Sequence, residues 1–243
     1  MSKTTNKAVS QQKVSADFDR YVESYGRQID DAVGFSGLKQ DFFVKAKCEY
    51  LTRLTKRHLG DNSRLDVLDI GCGIAVYHGV LAATYRSVSG IDVSEKSVEY
   101  ARSWNPNVAY SVYPGGRMPY DDASFDAAFA MCVMHHVPVS DWPVFVSEMR
   151  RVLKPGGIGM VFEHNPMNPV TRKIVNNCPI DEDAVLLRAS RTRGLFRDAG
   201  FQSIKSRSIL SIPPLVGPLY PVDEALGLIG LGAQYYTVGR KPA

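Results

Sequence analysis

The chain has no apolar run of the roughly 18 residues that a membrane-spanning helix requires. The nearest approach, residues 209–231, is broken by Pro213, Pro214, Pro218 and Pro221 and carries Asp223 and Glu224. Cysteine is scarce as well. Cys48, Cys72, Cys132 and Cys178 show no C-x-x-C spacing, which argues for buried free thiols in a reducing cytoplasm. Charge of one sign is also missing: the net charge is only +4, and Lys and Arg form no run, so nucleic acid is not expected as a partner. Residues 1–15 lack the apolar core of a secretory signal and read as a disordered tail. The sequence contains no internal repeat.

Apolar residues make up 44% of the 243, enough to build the core of one large domain. Residues 16–60 read as an N-terminal helical lid in two pieces, broken at Gly34-Phe35-Ser36-Gly37. The second piece, residues 38–59, stops at Gly60. From Arg64 onward, strand-like and helix-like runs alternate. Apolar or β-branched runs at 65–70, 87–91, 108–113, 125–131 and 158–162 are accompanied by helical stretches at 74–85, 93–104, 141–153 and 183–199. Ser94, Ser140-Asp141 with Pro143, and Asp181 mark helix starts. Two further strands, 201–211 and 233–240, have no convincing helix between them, only an apolar insertion near 212–231. The pattern predicts an α/β domain over residues 61–243. Its sheet is Rossmann-like, mostly parallel and seven-stranded, with helices on both faces and an antiparallel edge strand.

The most informative stretch is Val67-Leu68-Asp69-Ile70-Gly71-Cys72-Gly73-Ile74-Ala75. A buried strand ends in a carboxylate and a glycine turn, and ligands of open α/β sheets bind beside such turns. A dinucleotide fold would place its third glycine where Val76 stands, and Asp69 would repel a pyrophosphate while tolerating a cationic ligand. The next strand ends Gly90-Ile91-Asp92-Val93-Ser94. Asp92 there can take both hydroxyls of a ribose, because Ser94 is free to cap the following helix.

With these residues the chain resembles the class I S-adenosylmethionine-dependent methyltransferases, and within them small-molecule enzymes related to the ubiquinone and menaquinone methyltransferases. Residues 67–73, 90–93, 118–137, 151–163 and 195–201 carry the resemblance, in order. It implies S-adenosylmethionine as cofactor. Asp69, Gly71, Cys72 and Gly73 would line its methionine and ribose side, Asp92 would hold the ribose, and Val93 would pack on adenine. Gly115 and Gly116 would meet the adenine edge and Cys132 would lie near the methionine portion. Two departures stand out: Ala75 replaces a frequent glycine, and Pro114 replaces a frequent adenine-binding aspartate.

The implied reaction is an in-line displacement at the sulfonium methyl, for which alignment supplies most of the rate. His135 and His164, at the ends of the fourth and fifth strands, are the candidate general bases. His136 is the weaker neighbour; a metal held by these histidines with Glu163 is an alternative that no ligand spacing supports, so none is expected. Tyr21 and Tyr25, four residues apart on the lid, and Asn165 in the loop 165–169 are candidates for acceptor contact. A small-molecule acceptor is expected, and the insertion near 212–231 suits a hydrophobic or lipid-linked one. Two other readings stay open: a binding protein that keeps the pocket without turnover, motivated by Pro114, and a nicotinamide-dependent reductase.

Overall fold

The computed structural model describes residues 11–21, 40–211 and 220–243. Helix α1 (Gln11–Tyr21) and the long α2 (Gln40–Leu59) precede the alternating part of the chain. Gly60, at φ +92°, ends α2 by donating to the Lys56 carbonyl at 3.1 Å, a left-handed stop that a side chain would strain. Residues 11–15, expected in a tail, are the first turns of α1, and Tyr25 lies outside the described residues.

Then follow β1 (Asp66–Ile70), α3 (His78–Ala82), β2 (Ser87–Asp92), α4 (Glu95–Trp104), β3 (Ala109–Val112) and β4 (Phe125–Met131). Next come α5 (Trp142–Val152), β5 (Leu153–His164), α6 (Pro169–Asn177), α7 (Ala189–Asp198), β6 (Gln202–Ile209), α8 (Tyr220–Leu226) and β7 (Gln234–Arg240). Ser94 caps α4 by accepting from the Ser97 N–H at 3.0 Å, as its position predicts. Asp181 does not start a helix. It closes a one-turn 3-10 segment, Pro179–Asp181, and the helix expected over 183–199 begins only at Ala189.

The seven strands are ordered β3-β2-β1-β4-β5-β7-β6. All neighbours up to β5 are parallel, and β7 runs antiparallel to both β5 and β6. The antiparallel strand therefore sits one place in from the edge that β6 forms. Side chains alternate across the sheet. Val67, Phe129, Met160 and Phe162 pack toward α2, while Leu68, Ile70, Ala130 and Val161 pack toward α5 and α7. Because both faces are covered, the central strands are apolar almost throughout. The strand order switches sides between β1 and β4, so a crevice opens at their carboxyl ends, where ligands of such sheets bind. No helix among the described residues is long and apolar enough to cross a membrane.

Candidate active site

The crevice is built first by the turn after β1. Gly71 (φ +79°) and Gly73 (φ +51°) take conformations that side chains avoid. They differ in what surrounds them. A Cβ on Gly71 would fall 2.6 Å from both methyls of Val133, whereas one on Gly73 would meet nothing within 4 Å. Gly71 is thus needed for packing, and Gly73 opens onto the cleft. Asp92, at the end of β2, accepts from the Gly73 N–H at 2.7 Å and from the Ser94 N–H at 2.9 Å. Burial pushes its carboxyl up to about 6 against the pull of those N–H groups. Each of its oxygens keeps a lone pair for a further donor. These features fit a nucleoside: a cradle that a Cβ would fill, beside a carboxylate with acceptor capacity to spare.

Asp69 behaves differently. It is fully buried beneath the turn, where one oxygen accepts from Tyr77 Oη at 2.7 Å and pairs with His78 Nε2 at 2.9 Å. His78 Nδ1 in turn meets Tyr110 Oη at 2.8 Å, with the two rings stacked. Asp69 is not among the residues lining the cleft, but Tyr77 is. Asp69 thus fixes Tyr77, which lines the cleft, while its other oxygen, Oδ1, has no hydrogen-bond partner among the described residues.

At the other end the cleft is formed by the termini of β4 and β5. Cys132 has φ +59°, and its N–H donates to the Phe162 carbonyl at 2.8 Å. Its Sγ lies 3.7 Å from Lys47 Nζ and 3.7 Å from Gln234 Nε2. Burial drives the thiol upward, yet Lys47 and His164 outweigh it and bring Cys132 down to about 7. Beside it, the buried Glu163 accepts from the N–H groups of Val133 at 3.1 Å and Met134 at 2.8 Å, and holds His135 Nδ1 at 2.5 Å. His135 Nε2 and His136 Nε2 each stand 3.4 Å from the Asp181 carboxylate.

These contacts set the charges. Burial disfavours an imidazolium at His135, but Glu163 and Asp181 outweigh it and hold its pKa well above the ordinary value. Burial and the neighbouring His135 push His136 down to about 4. Asp181 is held far below the usual carboxylate range by the two histidines, despite its burial. Glu163 on Nδ1 and Asp181 near Nε2 are thus the contacts that favour the protonated form of His135. His164 is raised as well: burial opposes the charge and the Cys132 thiolate favours it.

The cleft brings Gly71, Cys72, Gly73, Asp92, Val93, Cys132, His135 and His164 to one surface, with a volume of about 1610 Å³ including its open mouth. Gly115 and Gly116 are not in that lining. Gly115 backs onto Gln11, and Gly116 accepts from the Tyr113 hydroxyl at 3.0 Å, so Tyr113 is the residue that reaches the cleft from β3. Asn165 is also outside the lining. Its amide donates to the carbonyls of Gly230 at 2.9 Å and Gly232 at 2.8 Å, and its oxygen accepts from the Met167 N–H at 3.0 Å, which joins two loops. Lys47, Tyr77 and Gln234 were not foreseen, Asp181 was read only as a helix start, and Glu163 was weighed only as a metal partner of the histidines.

Residues 68–161 match the family model described as "Methyltransferase domain". Squalene methyltransferase 1 of Botryococcus braunii is 31% identical over 178 residues, covering 68% of this chain and 47% of that protein. The 2-methyl-6-phytyl-1,4-hydroquinone methyltransferase of Synechocystis is 34% identical over 125 residues, covering 45% of this chain and 39% of that one. The chain thus spans less than half the length of these two curated relatives. Among solved structures, a SAM-dependent methyltransferase of Thermotoga maritima superposes with a TM-score of 0.67 at 21% identity, covering 94% of this chain and 99% of the other. That likeness speaks to the fold.

Proposed function

We propose, from the premise that this chain belongs to the class I S-adenosylmethionine-dependent methyltransferases, that it methylates a small hydrophobic acceptor with S-adenosylmethionine as donor. One observation carries the reading. A single cleft joins the glycine turn and Asp92 to an apolar wall and a buried histidine–carboxylate group. The wall includes Phe43, Val44, Ile174 and Ala233, and the two relatives named above act on a hydrocarbon and on a phytyl-bearing ring. An acceptor of that kind gains binding energy in proportion to the apolar area it buries.

When bound, S-adenosylmethionine supplies an electrophilic methyl on a sulfonium. The backbone of Gly71, Cys72 and Gly73 would hold it, with Asp92 available to accept from the ribose hydroxyls, Val93 and Tyr113 beside the base and Cys132 toward the methionine end. Gln11, Val14 and Phe18 of α1, with Phe43, Val44 and Lys47 of α2, contribute to the lining, which supports a lid role for the N-terminal helices. Their cover excludes water and aligns the reactants, an effect worth roughly 7–11 kcal/mol when the geometry is good. His164, which lines the cleft beside Cys132, would take a proton from a protonated acceptor only in its neutral form.

Calorimetry separates this reading from its rivals. S-adenosylhomocysteine should bind and NADH should not, and the reading falls if those results are reversed. With S-adenosylmethionine present, phenolic, hydroquinone and isoprenoid acceptors should then be screened for release of S-adenosylhomocysteine. Binding without release from any of them would leave a protein that keeps the pocket without turnover.

A further inference from the structure

The histidine pair and Asp181 line the same cleft, and the reading above gives none of the three a chemical step. His135 and His136 sit on a one-turn 3-10 segment, Met134–His136, that follows β4. Asp181 closes the segment Pro179–Asp181. The Val185 N–H donates to the His135 carbonyl at 2.8 Å, so the two segments are tied together by backbone before any side chain is considered. One ligand atom from each of the three residues lies within 4.8 Å of the others.

We propose that His135, His136 and Asp181 bind one divalent transition-metal cation at the acceptor end of the cleft. Four features support it. First, the contacts from Asp181 to each Nε2 are 3.4 Å, longer than the roughly 2.7–2.9 Å of a charge-assisted hydrogen bond. Two ligands bonded to a common ion at about 2.1 Å with tetrahedral angles stand ~3.4 Å apart. Second, His135 Nδ1 is held by Glu163 at 2.5 Å, which leaves Nε2 directed at Asp181. A metal-bound histidine is oriented in this way by a carboxylate on its other nitrogen. Third, Glu163 and Asp181 put two carboxylates in a nearly buried place, at 0% and 10% side-chain exposure, and a divalent ion that displaces the proton from His135 Nε2 balances both. Fourth, all three residues line the cleft. Three protein ligands leave a coordination position open to it, as in catalytic rather than structural sites.

Two imidazoles and one carboxylate select zinc or ferrous iron over calcium or magnesium. The open position suits an oxygen of the acceptor, a part of the inference that rests on the methyl-transfer reading, whereas metal binding itself does not.

The test uses the full chain after chelator dialysis. Zinc is titrated by calorimetry, and cobalt(II) by its visible absorption. The wild type should take up one equivalent, with a cobalt spectrum free of the intense sulfur charge-transfer band that cysteine ligation would produce. Asp181→Asn and His136→Gln should each weaken binding by at least tenfold. Glu163→Gln, which removes the orienting carboxylate, should weaken it by about 10- to 100-fold. Melting curves recorded without metal show whether each variant folds, and an unfolded one is replaced by Asp181→Glu, which should keep measurable binding. No uptake by the wild type, or equal affinity in the wild type and the folded variants, overturns the proposal. S-adenosylhomocysteine binding is measured on the same samples. Metal uptake without it would remove the methyl-transfer reading and leave the metal site standing.

Discussion

The two ends of the cleft are made in opposite ways. The nucleoside end comes from two short stretches, residues 69–77 and 92–94, on neighbouring parallel strands in register, with Ile70 opposite Ile91. Its polar atoms are mainly backbone N–H groups, and the one carboxylate in its lining, Asp92, is held by two of them. The acceptor end gathers Lys47 from α2, residues 132–136 after β4, Glu163 and His164 from β5, Asp181 from a one-turn segment, and Gln234 from β7. Its polar atoms are side chains, several of them charged, with His135, Glu163 and Gln234 buried and the others partly so. The difference teaches where each end is vulnerable. A backbone site fails through φ and steric fit, and a side-chain cluster fails through unpaired charge.

The largest effect should come from the side-chain end. Glu163→Ala leaves His135 without the partner on Nδ1 and frees the N–H groups of Val133 and Met134 at once. Breaking a buried pair on one side costs about 3–5 kcal/mol, so chemical denaturation should show a loss of that size. A loss below roughly 1 kcal/mol would mean that solvent reaches this cluster, and the contrast between the two ends would be blunted. Next in size is Gly71→Ala. The left-handed φ and a Cβ at 2.6 Å from Val133 together should cost about 3 kcal/mol of stability, and affinity for S-adenosylhomocysteine should fall with it. Gly73→Ala has the same sign of φ but no steric neighbour, so its stability loss should be smaller while its effect on binding persists.

Asp92 joins the two kinds of failure, since it is a side chain held by backbone. Asp92→Ala should weaken S-adenosylhomocysteine binding by about 1–3 kcal/mol, measured by calorimetry. Its pKa near 6 lies above the ordinary carboxylate value of about 3.9, so the folded state holds this proton more tightly than the unfolded chain. As pH falls from 6 toward 4, this group therefore adds stability. Ligand affinity should move the other way over the same window, because the protonated carboxyl gives up acceptor capacity. Asp92→Asn should flatten both trends. A wild-type affinity that is constant between those pH values would separate Asp92 from the ribose.

How much of this could be read from the sequence follows the same division. The βα alternation, the sheet and the turn at residues 71–73 were legible because each is local: a run of apolar residues, a glycine pair, a cap at Ser94. Asp69 was legible as important, but its partners were not, since nothing in the run of residues says that Tyr77 and His78 fold back beneath the turn to meet it. Gly115 and Gly116 were carried over with the family pattern, while Tyr113, three residues before Gly116, is the one in the lining. Asp181 was read as a helix cap because acidic residues commonly are, and only tertiary structure brings it to the histidines more than 40 residues earlier. Asn165 was read toward the acceptor, although the loop bearing it is joined by its amide to residues 230 and 232. Long-range pairing of polar side chains leaves no periodic trace, so the acceptor end was the less legible of the two.

The smallest expected effect tests whether the helical lid belongs to the nucleoside end. Helix α1 is joined to it by two side-chain bonds. Ser15 Oγ donates to the Val93 carbonyl at 2.8 Å, and Ser94 Oγ donates to Asp19 Oδ1 at 2.6 Å. Ser94 also caps α4, so its loss would confound two roles, whereas Ser15 serves only the latch among the hydrogen bonds described. Ser15→Ala should cost about 0.5–1.5 kcal/mol of α1 docking and leave global stability almost unchanged. With Gln11, Val14 and Phe18 in the lining, a loosened α1 should release bound S-adenosylhomocysteine several times faster while the association rate holds. Stopped-flow dissociation and amide exchange across residues 11–21 measure the two effects. Faster exchange with an unchanged off-rate would show that α1 covers the cleft without gating it.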